Sequence, residues 1–98
     1  MNFDTYVIDE GVARSDMSKM SQAIQHLNQA RRTVTQLMSE AQGMQGQTGM
    51  AIAEKAQELQ YRIDKLTRQL QTSISLLNSA VVHYQQIDNE HAAKIRNR

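Results

Sequence analysis

Three of the chain's four glycines, Gly43, Gly46 and Gly49, fall within the ten residues AQGMQGQTGM at positions 41–50, and proline is absent throughout. Forty-two residues precede Gly43 and forty-nine follow Gly49. A helix carried through this segment would lose about 1 kcal/mol at each interior glycine relative to alanine. The cluster therefore predicts a chain reversal at the midpoint, an αα-hairpin rather than one continuous rod.

Both halves carry the period of a helix with one buried face. In the first, Met20, Ala23, Leu27, Ala30, Val34, Leu37 and Ala41 follow in alternating steps of three and four. Helix 1 is expected over about residues 10–42, capped by Asp9 or Ser15 and stopped by Gly43 in the left-handed conformation. The turn is expected over 43–48, with Thr48 as the cap of helix 2. In the second half Ile52, Ala56, Leu59, Ile63, Leu66 and Leu70 repeat the pattern, and Ile74, Leu77, Val81 and Tyr84 continue it after one four-residue step. Helix 2 is expected over about 49–90, roughly 60 Å at 1.5 Å per residue, with flexible ends to the chain. Thirteen glutamines, together with Ala, Leu, Met, Lys, Arg and Glu, are all compatible with helix. The fold class is all-α, a single helical-hairpin domain over residues 1–98.

Folding the chain back at Gly46 brings together residues whose numbers sum to about 93. Leu37 then meets Ala56, Val34 meets Leu59, Ala30 meets Ile63 and Leu27 meets Leu66. These eight residues form the expected hairpin core, with large side chains repeatedly opposing small ones. The apolar stripes are wider than one seam: Met17, Ile24 and Met38 lie beside the row on helix 1, with Arg31 interrupting, and Leu76 and Val82 lie beside it on helix 2. Leaving such side chains wet forgoes roughly 1.5–3 kcal/mol apiece. These five residues are the expected partner face, on which the antiparallel hairpin dimerises into a four-helix bundle.

Several function classes are disfavoured. A net charge of +1 provides no basic footprint for nucleic acid, and Lys94, Arg96 and Arg98 read as a solvated end. Without cysteine there is no disulfide framework or thiolate metal site. No apolar run approaches eighteen residues, and helix 2 lacks the aromatic and lysine-rich faces of a membrane-surface helix, so stable membrane insertion is not expected. The opening MNFDTYVIDEG has neither the basic nor the apolar region of a secretory signal, and the chain is expected to be leaderless. His26, His83 and His91 do not form an i, i+4 pair, and no Gly-Lys-Ser/Thr follows the glycines. No catalytic, cofactor or metal site is expected, and the protein is read as a non-enzyme.

The central glycine turn between two long helices resembles the WXG (ESAT-like) family of small helical hairpins exported by type VII secretion systems, and the resemblance covers essentially the whole chain. Family members carry Trp-x-Gly in the turn and Tyr-x-x-x-Asp/Glu after the core of the second helix. Here Met44-Gln45-Gly46 stands in the turn, with methionine in place of tryptophan, and Tyr84-Gln85-Gln86-Ile87-Asp88 stands near the end. Tyr-x-x-x-acid is a loose pattern that also occurs at Tyr6–Glu10. The missing tryptophan is similar to the situation in the small helical partners of LXG toxins. The resemblance implies a type VII secretion substrate or a targeting partner for an LXG-type toxin, with Tyr84 and Asp88 as the export signal. It implies a homodimer, or a heterodimer with another helical hairpin or a toxin's N-terminal region. It also implies recognition by a type VII secretion ATPase, synthesis in a bacterial cytoplasm, and delivery outside the cell or to its surface. The competing reading is a cytoplasmic helical adaptor that pairs with another helical protein.

Overall fold

Asp9 starts the first helix. Its backbone is extended (φ −76°, ψ 103°) and its carboxylate accepts the Val12 N–H at 3.0 Å, satisfying one of the donors a helix N-terminus leaves without a partner. In a computed structural model, which describes residues 9–96, helix α1 runs Glu10–Gln42 and helix α2 runs Gln47–Arg96. The described residues contain no strand. Of the two caps the sequence offered, Asp9 is the one used, and Ser15 lies inside the helix.

The turn is shorter than expected and distributes its glycines differently. The last turn of α1 tightens, with the Gly43 and Met44 N–H groups donating to the carbonyls of Glu40 and Ala41 at 3.1 Å each. Gly43 stays right-handed (φ −80°), which corrects its expected role as a left-handed stop. The positive φ falls on Gly46, at 87°. The Gly46 carbonyl accepts the Met50 N–H at 3.4 Å, so α2 begins at Gln47 and Thr48 lies within it. Gly49 has a third role: a Cβ there would sit 2.6 Å from the Met44 carbonyl oxygen and 3.0 Å from that of Ala41. Only a residue without a side chain lets α2 start this close to the end of α1.

At its far end α2 continues to Arg96 rather than stopping near residue 90. The stretch Asp88–Lys94 contains no glycine or proline, and Ala92, Ala93 and Lys94 are good helix formers, so nothing local terminates it. The resulting hairpin is a thin rod, 79 × 25 × 15 Å, with a radius of gyration of 22.1 Å. A compact domain of this length would have about 13 Å.

Three polar pairs fix the register: Arg31 with Asp64, Thr35 with Gln60, and Glu10 with Gln85. The numbers of each pair sum to 95, close to the expected register. The phase of the seam differs more. On α1 the covered row runs Ala13, Met17, Met20, Ile24, Leu27, then Val34, Met38 and Ala41, with Arg31 occupying the gap. On α2 it runs Gly49, Ala53, Ala56, Gln60, Ile63, Thr67, Leu70, Ile74, Leu77, Val81 and Tyr84. Both rows alternate steps of three and four, the heptad a and d positions of a left-handed coiled pair. Among the described residues the buried hydrophobic side chains are small: Ala13, Val34, Ala41, Ala56 and Val81. Two helices close tightly over alanine and valine, while the longer Met, Ile and Leu side chains of the row remain half-covered.

The three turn glycines should respond differently to alanine. Gly49→Ala must displace backbone and is expected to cost about 1–3 kcal/mol. Gly46→Ala forces a side chain into the left-handed region, at about 1–2 kcal/mol. Gly43→Ala, with φ −80° and its Cβ no closer than 3.4 Å to the Glu40 carbonyl, is expected to be neutral or stabilising by up to about 1 kcal/mol. Urea unfolding followed by circular dichroism ranks the three, and equal effects would contradict this division of roles.

Candidate functional site

The two flanks of the seam have opposite character. On one side lie the heptad e positions: Ser21, Asn28, Thr35 and Gln42 on α1, and Met50, Gln57, Asp64, Gln71, Asn78 and Gln85 on α2. Apart from Met50 they are polar, and all three cross-helix polar pairs use a residue of this flank. On the other side lie the g positions: Asp16, Ala23, Ala30 and Leu37 on α1, and Ile52, Leu59, Leu66, Ser73, Ala80 and Ile87 on α2. This flank is apolar in its turn-proximal half. There Leu37, Ile52, Ala56 and Leu59 border an open groove of about 520 Å³.

Two of the four expected core residues on α2, and two of the four on α1, belong to this flank rather than to the seam. Ala30 is exposed, and Leu37, Leu59 and Leu66 are 37%, 46% and 47% exposed. Val34 and Ala56 are buried, and Leu27 and Ile63 are half-buried in the seam. Conversely Met17, Ile24 and Met38, expected on a partner face, are half-buried between the helices. Leu76 and Val82 are exposed; Leu76 stands on the track that borders the apolar flank, in its turn-distal half, and Val82 points away from it. The reason is a one-track shift. Apolar residues occupy the a, d and g tracks, and Arg31, Gln60 and Thr67 interrupt the a track, so the d and g tracks looked like the continuous face.

Arg31 is tolerated on the seam because its long side chain reaches out to the polar flank. Its Nε donates to Asp64 Oδ1 at 2.8 Å, and its second nitrogen approaches Oδ2 at 3.5 Å. The hydrogen bond from Arg31, with smaller help from the charges of Arg31 and Arg68, holds the Asp64 carboxyl below its ordinary pKa. The same bond raises the pKa of Arg31. A lone cation on an apolar track, level with an acid on the opposite helix, was the sequence signal for this pair. Thr67 resolves its own place on the seam by donating to the Ile63 carbonyl at 2.8 Å.

At the open end of the hairpin Tyr84 occupies the last rung of the seam and is half-buried. Its neighbour Gln85 donates to Glu10, the first residue of α1. Asp88, one turn further, is exposed and lies beyond the start of α1. At the opposite end Met44 is exposed in the turn and its backbone and Cβ abut Gly49. Tyr6, of the second Tyr-x-x-x-acid copy, lies outside the described residues, as do the two chain ends expected to be flexible. Among the described residues no cluster of His, Asp and Glu could hold a metal ion, and no helix is long and apolar enough to cross a membrane.

Because the folded-state pKa of Asp64 lies below its unfolded value, the pair contributes stability above about pH 4 and loses it as pH falls through the lowered folded pKa. The Tm difference between wild type and Asp64→Asn is therefore expected to be largest at neutral pH and to close as pH falls through the lowered folded pKa of Asp64. A difference independent of pH in thermal melts would assign Asp64 a role other than pairing with Arg31.

No known protein family matches the chain, and no characterised protein or solved structure is detectably similar to it.

Proposed function

We propose that the hairpin is a substrate or targeting partner of a type VII (ESAT-like) secretion system, working by helix-bundle association. Its partner in a four-helix bundle is another helical hairpin, either its own kind or the helical N-terminal region of an LXG-type toxin. The observation that carries this reading is surface area. The chain exposes 8147 Å², whereas a compact monomer of 11.2 kDa would expose roughly 5,700 Å². On one flank of the rod Leu37, Leu59 and Leu66 are 37%, 46% and 47% exposed, and contiguous apolar surface of this kind marks interaction sites.

In this reading the open end supplies the address. Tyr84 and Asp88 are one turn apart on α2 and therefore share a side of the helix. The phenol fills a pocket on the secretion ATPase, and the carboxylate sets the register of docking. The protein is made in a bacterial cytoplasm and delivered outside the cell or to its surface. The half-burial of Tyr84 in the seam favours a second reading, in which the tyrosine is ordinary packing and the hairpin is a cytoplasmic adaptor for another helical protein.

Export assays separate the two. Asp88→Ala alters an exposed residue, so secretion is expected to fall at least tenfold with helicity unchanged. Tyr84→Ala is expected to do the same while also lowering Tm, because it removes the last rung of the seam. Unchanged secretion of both variants, or wild-type protein retained in cells whose secretion system is active, would support the adaptor.

A further inference from the structure

We infer that the polar flank carries a diphosphate-binding cradle at mid-rod, formed by Arg31 and Arg32 of α1 and Arg68 of α2 beside the polar side chains of Asn28 and Thr35. The inference is independent of the export reading and concerns the side of the rod opposite the apolar groove.

The chain's net charge is only +1, but its charges are unevenly spread. Between residues 17 and 39 α1 carries no acid, and between residues 59 and 87 α2 carries one, Asp64. The heptad b positions lie just outside the e positions on the polar flank, and in these stretches they hold Arg32 on α1 and Arg68 on α2. Arg31 reaches the same flank from the seam to bond Asp64. Lys65 borders Arg68 from the next track outward. Four cations therefore stand against a single carboxylate.

Three observations tie the arginines to one place. Arg31 commits its Nε to Asp64 Oδ1 at 2.8 Å, while its terminal nitrogen lies 3.5 Å from Oδ2, so most of the N–H groups of that guanidinium are left to other acceptors. Arg68 stands one turn beyond Asp64 on α2, and its charge helps to hold that carboxyl below its ordinary pKa. Arg32 lines an open hollow of about 430 Å³ together with Asn28, Arg31 and Thr35. Both Arg32 and Arg68 are exposed, and among the described residues neither has an ion-pair partner.

The chemistry of the cluster selects its ligand. A guanidinium fork matches the oxygens of carboxylate and phosphate alike. A carboxylate offers two oxygens in one plane and is satisfied by one fork, as Asp64 is by Arg31. Phosphate oxygens point in several directions and accept from arginines that approach from two helices. Size and charge set the length of the ligand. In the register that pairs Arg31 with Asp64, Arg68 is level with residue 27, so Arg32 and Arg68 stand about 7 Å apart along the rod. The excess of three positive charges over Asp64 balances a diphosphate, and a patch this short offers no track for a long polyanion.

Isothermal titration calorimetry of the full chain with inorganic pyrophosphate at low salt, with circular dichroism on each variant, tests the inference. Wild type is expected to bind pyrophosphate, and to bind it more weakly as salt is raised. Arg32→Gln and Arg68→Gln, changes at exposed positions, are each expected to weaken binding at least tenfold with the helix signal retained. Asp64→Asn removes the competing carboxylate and releases Arg31, so it is expected to tighten binding severalfold even as it lowers Tm. Arg62→Gln, on the track that borders the apolar flank, removes the same charge and is expected to leave binding unchanged. Citrate, a trianion built of carboxylates, is expected to bind at least tenfold more weakly than pyrophosphate. ADP separates the sources of the ligand: tighter binding of ADP assigns a diphosphate carried on an organic group, and tighter binding of pyrophosphate assigns a free one. No binding by wild type at millimolar pyrophosphate, equal losses in Arg62→Gln and Arg68→Gln, weaker binding by Asp64→Asn, or citrate binding as tight as that of pyrophosphate would overturn the inference. Secretion of the Tyr84 and Asp88 variants bears on the export reading alone.

Discussion

The closeness of α1 and α2 depends on the missing side chain at residue 49. With the backbone of Met44 and Ala41 at the distance a Cβ would need, α2 starts in contact with the end of α1. Ala41 and Ala56 then keep the helices near one another for their first turns. At the other end Ala13 and Val81 are buried in the same way. Between these closures lie methionine, leucine and isoleucine side chains that are only half-covered. A two-helix contact removes a narrow strip from water, and small residues are the ones it can enclose fully. The surplus apolar surface that supports the proposed function follows from this geometry.

The polar members of the seam give the hairpin one alignment. A left-handed antiparallel pair lined only by aliphatic residues could slide by one heptad at modest cost, since each rung would meet an equivalent rung. Arg31 has no equivalent partner one heptad away, because Gln57 and Gln71 stand where Asp64 would have to be. A slip would separate this ion pair, which is the specificity role that polar residues play in coiled coils. All these bonds sit on the e flank, so the alignment device and the apolar groove occupy opposite sides of the rod.

The reversal, the boundaries of α1 and the approximate register were legible because they depend on strong local signals: three clustered glycines, Asp9 as a cap, and a sustained helical period. The phase of the seam was not. Steps of three and four describe the a/d tracks and the d/g tracks equally well, and the alanines at 23 and 30 made the second choice look cleaner than one interrupted by arginine. What decided the matter was a tertiary event, the reach of Arg31 to Asp64 across the hairpin, which no single-helix pattern contains. The apparent sideways step after Leu70 had the same origin. On α2 the a track carries Gln60 and Thr67 before it carries Ile74 and Val81, so the visible stripe changed tracks although the buried one did not. The extension of α2 to Arg96 escaped notice because it is marked only by the absence of a breaker.

The beginning of α1 and the end of α2 lie at the same end of the rod, and α2 runs eleven residues beyond its bond from Gln85 to Glu10. This layout has a mechanical consequence. A force applied along the protruding tail while α1 is held loads the rungs in sequence, Tyr84 first, then Val81, then Leu77, and never all of them together. Antiparallel helices pulled from a shared end peel like a zipper, whereas helices pulled from opposite ends resist in shear. The hairpin therefore opens under a smaller force on its tail than would be needed to slide its two helices past one another.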